Sequence, residues 1–183
     1  MNAGRGGAME WRDLVIDGYG RVLDVLKESL NGLSQEDLNW QPKPDCNSMG
    51  WLAWHISRVQ DAEIAGLMGV EQLWITEGWH QKFNRPRDAD DTGYGHTNEQ
   101  VAAFKSPDIE TLLAYHRAVM ERTQKYLKSL TTKDLARELD EPWYQPLPTV
   151  AVRIVSALTD NLQHTGEIAY VHGLLKGKGW LGY

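Results

Sequence analysis

A single cysteine among 183 residues excludes an intramolecular disulfide and any paired-cysteine zinc or redox motif. That thiol, Cys46, sits in the loop-like text PKPDCNS, which argues against a catalytic nucleophile. Phenylalanine is also scarce, two residues against eight tryptophans, so aromatic packing must rest on indole. No apolar run approaches the ~20 residues a membrane span needs, and the start MNAGRGGAM has no apolar stretch of the kind a secretory signal carries. No block of Lys and Arg interrupts a formal charge of -6, a balance that repels a phosphate backbone. The expectation is a cytoplasmic protein that binds neither membrane nor nucleic acid. Residues 1–8 are expected to be a flexible extension and residues 9–183 a single domain.

What the chain does have is helical periodicity, in four segments and without internal repeats. The first runs from Trp11 to Leu30, with Trp11, Val15, Val22 and Val25 at helical spacing, and closes at the turn GLSQEDLNWQP. Ser48 can cap a second, whose stripe of Leu52, His55, Val59, Ala62 and Gly66 reaches Leu67. A third opens at Ser106-Pro107-Asp108, read as a cap residue, a proline at the first helical position and an acid in the first turn. Its inward positions are Ile109, Leu112, Leu113, His116, Val119, Met120, Thr123, Tyr126 and Leu127, and it ends near Leu130. The fourth follows the PLP of residues 146–148 and reaches Lys176. Its seam alternates steps of four and three through Val150, Ile154, Ala157, Asn161, His164, Ile168, Val171 and Leu175. A connection from about Gly69 to Lys105 is too long for a simple turn and reads as a crossover. The fold class is therefore all-α, a four-helix bundle with a long crossover between its second and third helices.

Ionisable groups stand on these apolar faces. Asp160 and His164 are four apart, so their side chains leave one side of a helix about 5 to 6 Å apart and can converge on one ion. Imidazole and carboxylate suit a divalent cation, and His55, inward on the second helix, is the natural third ligand. The plainer reading makes Asp160 the hydrogen-bond partner of a core histidine, since buried ionisable groups must be paired or coordinated in either case. Asn161 can orient a ligand or fix helix register. Glu167, one turn beyond His164, can serve as a base or as an acceptor for that imidazole. Arg58, one turn after His55, can recognise a substrate carboxylate or make a surface ion pair. Trp51 and Trp54, with Trp40, Trp143 and Tyr144 from loops, can wall an apolar cavity beside His55. His116 competes as an inward ligand, His172 is rotated by roughly 80° from His164, and His80 and His96 are expected to be solvated in the long loop.

Three stretches carry a resemblance: ESLNGLSQEDLNWQPKP after the first helix, MGWLAWHISRVQDAE in the second, and DNLQHTGEIAYVHGLLKG in the fourth. Together they resemble the DinB/YfiT-like superfamily from about Trp11 to Gly177. The resemblance implies a four-helix bundle with a long crossover and a divalent metal, zinc or nickel, held by a histidine of the second helix and an i, i+4 pair on the fourth. On these residues the ligands are His55, His164 and, where the family commonly has His or Glu, the shorter Asp160. Several relatives are thiol S-transferases that use mycothiol or bacillithiol, which implies a metal-dependent transferase or hydrolase activating a low-molecular-weight thiol or water. The site residues expected are His55, Asp160 and His164 as metal ligands, Trp51 and Asn161 around the cofactor, and Glu167 and Arg58 in catalysis. The contrasting expectation is a bundle that binds a metal or small ligand without turning it over. A homodimer is expected through an uncovered helical face.

Overall fold

The computed structural model describes residues 9–177, so the extension expected at 1–8 lies outside the described residues. Four long helices carry the architecture: α1 (Trp11–Leu30), α3 (Met49–Met68), α7 (Ile109–Ser129) and α9 (Val150–Lys176). Five short ones decorate the connections: α2 (Gln35–Asn39), α4 (Leu73–Thr76), α5 (Trp79–Lys82), α6 (Asn98–Ala103) and α8 (Thr132–Leu135). The described residues contain no strand, only an isolated bridge between Glu138 and Thr149. The chain is all-α with the long crossover between its second and third long helices. No helix among the described residues is long and apolar enough to cross a membrane.

Local chemistry sets the helix ends. Ser48 accepts from the Trp51 amide and caps α3, while Thr149 accepts from the Val152 amide and caps α9. The turn after α1 is itself helical, because Ser34 and Asp37 satisfy each other's backbone amides in a capping box that starts α2. Ser106 is not the cap of α7. Asp108 is, with its carboxylate 2.7 Å from the Thr111 amide, and Pro107 lies just outside the helix. Ser106 is instead buried, its amide donating to Asn39 Oδ1 and its carbonyl accepting from Gln35. Gly50 makes this junction possible, since a Cβ there would stand 2.5 Å from the Ser106 Cβ and 2.9 Å from the Leu38 carbonyl.

The long helices meet around a ring, α1 with α9, α9 with α3, α3 with α7 and α7 with α1. Two apolar clusters fill the interior. One gathers Trp54, Trp74, Phe83, Phe104 and Tyr115, the other Tyr19, Ile64, Tyr126, Leu127 and Ile154. Between them along α3 and α9 runs a buried polar layer. Asn161 Nδ2 donates to Gln60 Oε1 at 2.6 Å, Gln60 Nε2 donates to Thr123 Oγ1 at 2.8 Å, and Ser57 pairs with His116 Nδ1 at 3.0 Å.

Helix α3 is buried almost all round, because the crossover covers the face that the other long helices leave open. Two of its side chains hold that crossover. Asp61 accepts from the Leu73 and Trp74 amides at 3.0 and 2.8 Å, where α4 begins, and from the Tyr115 hydroxyl at 2.9 Å. Arg58 donates to the carbonyls of Asp91 and Ala89 and to Gln72 Oε1, and its guanidinium lies 4.6 Å over the Trp74 ring. Both side chains are wholly buried, so the segment from 72 to 91 is bound to α3 by charged anchors rather than by apolar packing alone.

Candidate metal centre

The site forms where the crossover touches the groove between α3 and α9. Helix α3 supplies His55, and α9 supplies Asp160 and His164 one turn apart. His55 Nε2 lies 4.0 Å from Asp160 Oδ2, and His164 Nε2 lies 3.5 Å from Asp160 Oδ1. The two imidazoles meet edge to face with centroids 4.9 Å apart. One ligand atom from each of the three residues lies within 4.8 Å of the others.

The outer nitrogen of each ring is committed elsewhere. His55 Nδ1 donates to the Thr92 carbonyl at 2.6 Å, and His164 Nδ1 donates to Glu167 Oε2 at 2.7 Å. Both rings therefore present Nε2 toward Asp160, the tautomer a metal-ligating histidine needs. Trp51 lies flat on His55 with centroids 4.8 Å apart and planes 15° apart, closing one side of the imidazole.

The crossover completes this support. Trp51 Nε1 donates to His96 Nδ1 at 3.2 Å, and His96 Nε2 donates to Asp91 Oδ1 at 2.9 Å. Gly93 is what allows the approach. It is buried at φ +91°, and a Cβ there would stand 2.8 Å from the Trp51 ring, 2.9 Å from the Trp54 ring and 3.0 Å from His55 Nδ1.

The electrostatics are those of a site that wants a cation. Asp160, then Glu167, hold the His164 imidazolium and push it up to about 9, against partial burial. Burial instead lowers His55, with the Thr92 carbonyl and Asp160 opposing. Asp160 Oδ2 is buried without a hydrogen-bond partner among the described residues, an acceptor left over beside the oxygen that faces His164. Tetrahedral ligands about 2.1 Å from zinc stand roughly 3.4 Å apart. His164 Nε2 stands near this value, 3.5 Å from Asp160 Oδ1, while His55 Nε2 stands 4.0 Å from the other oxygen, Oδ2, so a small rearrangement would bring the three onto one ion. Once His164 gives up its proton, the donor set of two imidazoles and a carboxylate with an open side fits a divalent ion.

Beyond Asp160 opens a cavity of about 410 Å³. Its floor is Val59, Ala62 and Ala157, its polar wall Glu63, and its mouth Tyr94 and Tyr144. The α3 stripe read as core through Val59 and Ala62 thus faces a cavity, and Gly66 at its end is exposed.

The remaining candidates are dispersed. Arg58 does not reach this cavity, because every direction of its guanidinium is spent on the crossover, Gln72 and Tyr115. Asn161 is buried one residue past Asp160 but points to Gln60, between the apolar clusters. Trp54 is core, and Trp143 is 73 % exposed. The loop histidines are not solvated. His80 is buried with Nδ1 2.9 Å from the Trp74 carbonyl, and His96 is tied to Trp51 and Asp91. His116 is fully buried away from the site, and His172 is buried with Nδ1 2.6 Å from the Ser29 carbonyl. Thr92, Gly93, Glu63 and Tyr94 escape sequence reasoning. Three of them sit in a crossover without periodicity, and the fourth shows only as the residue two turns beyond His55.

An all-α bundle carrying two histidines and a carboxylate from facing helices defines a class of candidate metalloprotein. Within that class, the family model of the DinB superfamily matches residues 19–168, and the chain belongs to that superfamily. The crystal structure of a conserved protein from Enterococcus faecalis is similar at 29 % identity with a TM-score of 0.86, covering 93 % of this chain and 100 % of that one. No curated protein matches this chain.

Proposed function

We propose that the protein is a metal-dependent enzyme acting on small molecules, a thiol S-transferase or a hydrolase. One observation carries this reading: three ligand atoms of His55, Asp160 and His164 converge beside a cavity of about 410 Å³ that His55 and Asp160 themselves line. His55 and His164 would hold zinc or nickel through Nε2, and Asp160 through a carboxylate oxygen. Such an ion, when bound, supplies the Lewis acidity that lets a thiol or a water lose its proton near neutral pH.

The chain's own side chains do the rest. The Thr92 carbonyl and Glu167 keep the ring protons on Nδ1, so neither imidazole can turn its lone pair from the centre. Trp51 covers His55 and keeps water from that side. Val59, Ala62 and Ala157 bind the apolar body of a reactant. Cys46 does not line the cavity, so the sulfur comes from a low-molecular-weight thiol such as mycothiol or bacillithiol. Val152, Val155, Leu162, Tyr170 and Leu174, exposed along α9, offer the face for a homodimer.

Elemental analysis of the purified wild type and His164→Ala tests the site, with about one equivalent of metal expected in the first and none in the second. Full retention in the variant overturns the ligand set. Product analysis with a panel of electrophiles and esters, with and without added thiol, then separates transfer from hydrolysis. A metal-loaded protein that turns over none of them is a binding bundle instead.

A further inference from the structure

We propose that the cavity beside the His55–Asp160–His164 group selects small molecules carrying a cationic ammonium group, and that Glu63 recognises it. This rests on reading that cavity as the substrate site.

On α3, His55, Val59, Ala62 and Glu63 fall at i, i+4, i+7 and i+8, so one strip of the helix faces the cavity. It carries an imidazole at one end, a carboxylate at the other and two aliphatic side chains between. Eight residues of helix set the two polar ends roughly 12 Å apart along the axis. A molecule lying on this strip has its reacting group toward Asp160 and its far end against Glu63.

The charge at the far end has one sign left over. Arg153 Nε lies 3.1 Å from Glu63 Oε2, but the same guanidinium also pairs with Glu141. One cation thus serves two carboxylates, and Arg153 is not among the residues that line the cavity. Among the described residues no Lys or Arg lines it, whereas Glu63 and Asp160 both do. Burial raises the Glu63 carboxyl, Arg153 opposes, and Glu141 and Asp160 raise it further, so a cation beside it would relieve an uncompensated charge. A carboxylate or phosphate ligand would meet these acids with no free partner. An ammonium would meet Glu63 in a partly desolvated wall of a cavity that Tyr144 and Tyr94 also line. Arg153 meets both Glu63 oxygens, Nε with Oε2 at 3.1 Å and a terminal nitrogen with Oε1 at 3.4 Å, yet the side chain remains one-third exposed and each oxygen keeps a second lone pair able to accept from a ligand.

Calorimetric titration with three matched probes, 4-phenylbutylamine, 4-phenylbutanol and 4-phenylbutyrate, tests the proposal. Each is run at low salt on chelator-treated and on metal-loaded protein. The amine is expected to bind at least tenfold more tightly than the alcohol or the carboxylate, and to weaken as salt is added. Glu63→Gln, which keeps an oxygen for Arg153, should reduce amine affinity about tenfold and leave alcohol affinity unchanged, while Glu63→Asp should retain the preference. Equal binding of amine and alcohol, tighter binding of the carboxylate, or an unaltered preference in Glu63→Gln overturns the proposal. If Glu63→Gln fails to fold, the three-probe comparison on the wild type and Glu63→Asp decides alone. The same titration on His164→Ala separates the two readings: that variant should lose metal and keep the amine preference, so a failed ligand assignment and a failed Glu63 assignment give different results.

Discussion

His55 Nδ1 lies 2.6 Å from the Thr92 carbonyl oxygen, a bond that crosses 37 residues of chain and exists only because Gly93 lets the crossover come that close. The next residue controls it. At φ +91° an alanine is strained, and its Cβ would press on Trp51, Trp54 and His55 at once. Left-handed strain and overpacking each cost about 1 to 3 kcal/mol. Gly93→Ala should therefore lower stability by about 2 kcal/mol or more in urea unfolding, and should weaken metal affinity by about tenfold or more through the loss of the bond that orients His55. Unchanged metal affinity in a destabilised Gly93→Ala would show that the Thr92 bond does not orient the ligand.

Metal uptake should release a proton from His164. Its imidazolium, held by Asp160 and Glu167 up to about 9, is charged at pH 7.5, whereas a ligating nitrogen must be free. Affinity should rise about tenfold per pH unit up to about pH 9. Calorimetry in two buffers of different ionisation enthalpy should return close to one proton released per ion at pH 7.5. The metal-free protein behaves in the opposite sense. A histidine whose folded value is raised contributes stability that is complete below the unfolded value of about 6.5 and is lost as pH climbs through about 9. Chelator-treated protein should lose stability over that window, and Glu167→Gln should shrink the loss.

The convergence of His55, Asp160 and His164 was legible because helical spacing projects: Asp160 and His164 share a side of α9 by arithmetic, and His55 lies on the stripe that faces them. The four long helices follow from the same periodicity. What periodicity cannot carry is the crossover. Its glycines, prolines and acids read as solvated loop, yet His80 and His96 are held under tryptophans there and Gly93 is buried. Arg58 shows the reverse failure. Its place one turn after His55 reads as a substrate anchor, but on a helix buried all round that direction leads into the crossover rather than the cavity. Ser106 failed as a cap because the cap falls two residues later, where Asp108 supplies the carboxylate, while Ser106 is tied to Asn39, Gln35 and the Pro107 carbonyl.

Arg58 and Asp61 should behave as a buried pair whose loss is felt in the crossover. Both are wholly buried and 3.8 Å apart, and Arg122 stands 3.5 Å from the other Asp61 oxygen, so removing Arg58 takes away one of two cations beside a dry carboxylate together with the bonds its guanidinium makes to the crossover. Breaking a buried pair costs about 3 to 5 kcal/mol, and the retained Arg122 places this loss toward the lower figure. Arg58→Met should lose stability of that order, and amide exchange should accelerate first at Leu73 and Trp74, whose amides Asp61 holds. If Arg58→Met instead kept full stability and lost only substrate affinity, the anchoring role would be wrong.

His116 gives the fold its sensitivity to acid. It is completely buried on α7, Ser57 meets its Nδ1 at 3.0 Å and its Nε2 has no hydrogen-bond partner among the described residues, so none of them repays the loss of water when it charges. Burial, with a small contribution from Lys27, lowers it to about 4. For a depressed group the contribution is complete above the unfolded value of about 6.5 and disappears as pH falls through about 4. A shift of this size corresponds to about 3 kcal/mol of stability lost across that window. Urea midpoints measured from pH 7 to pH 4 should fall accordingly, and His116→Gln, which cannot take up the proton, should start less stable but decline more shallowly. Parallel declines in the wild type and His116→Gln would assign the acid sensitivity to other groups.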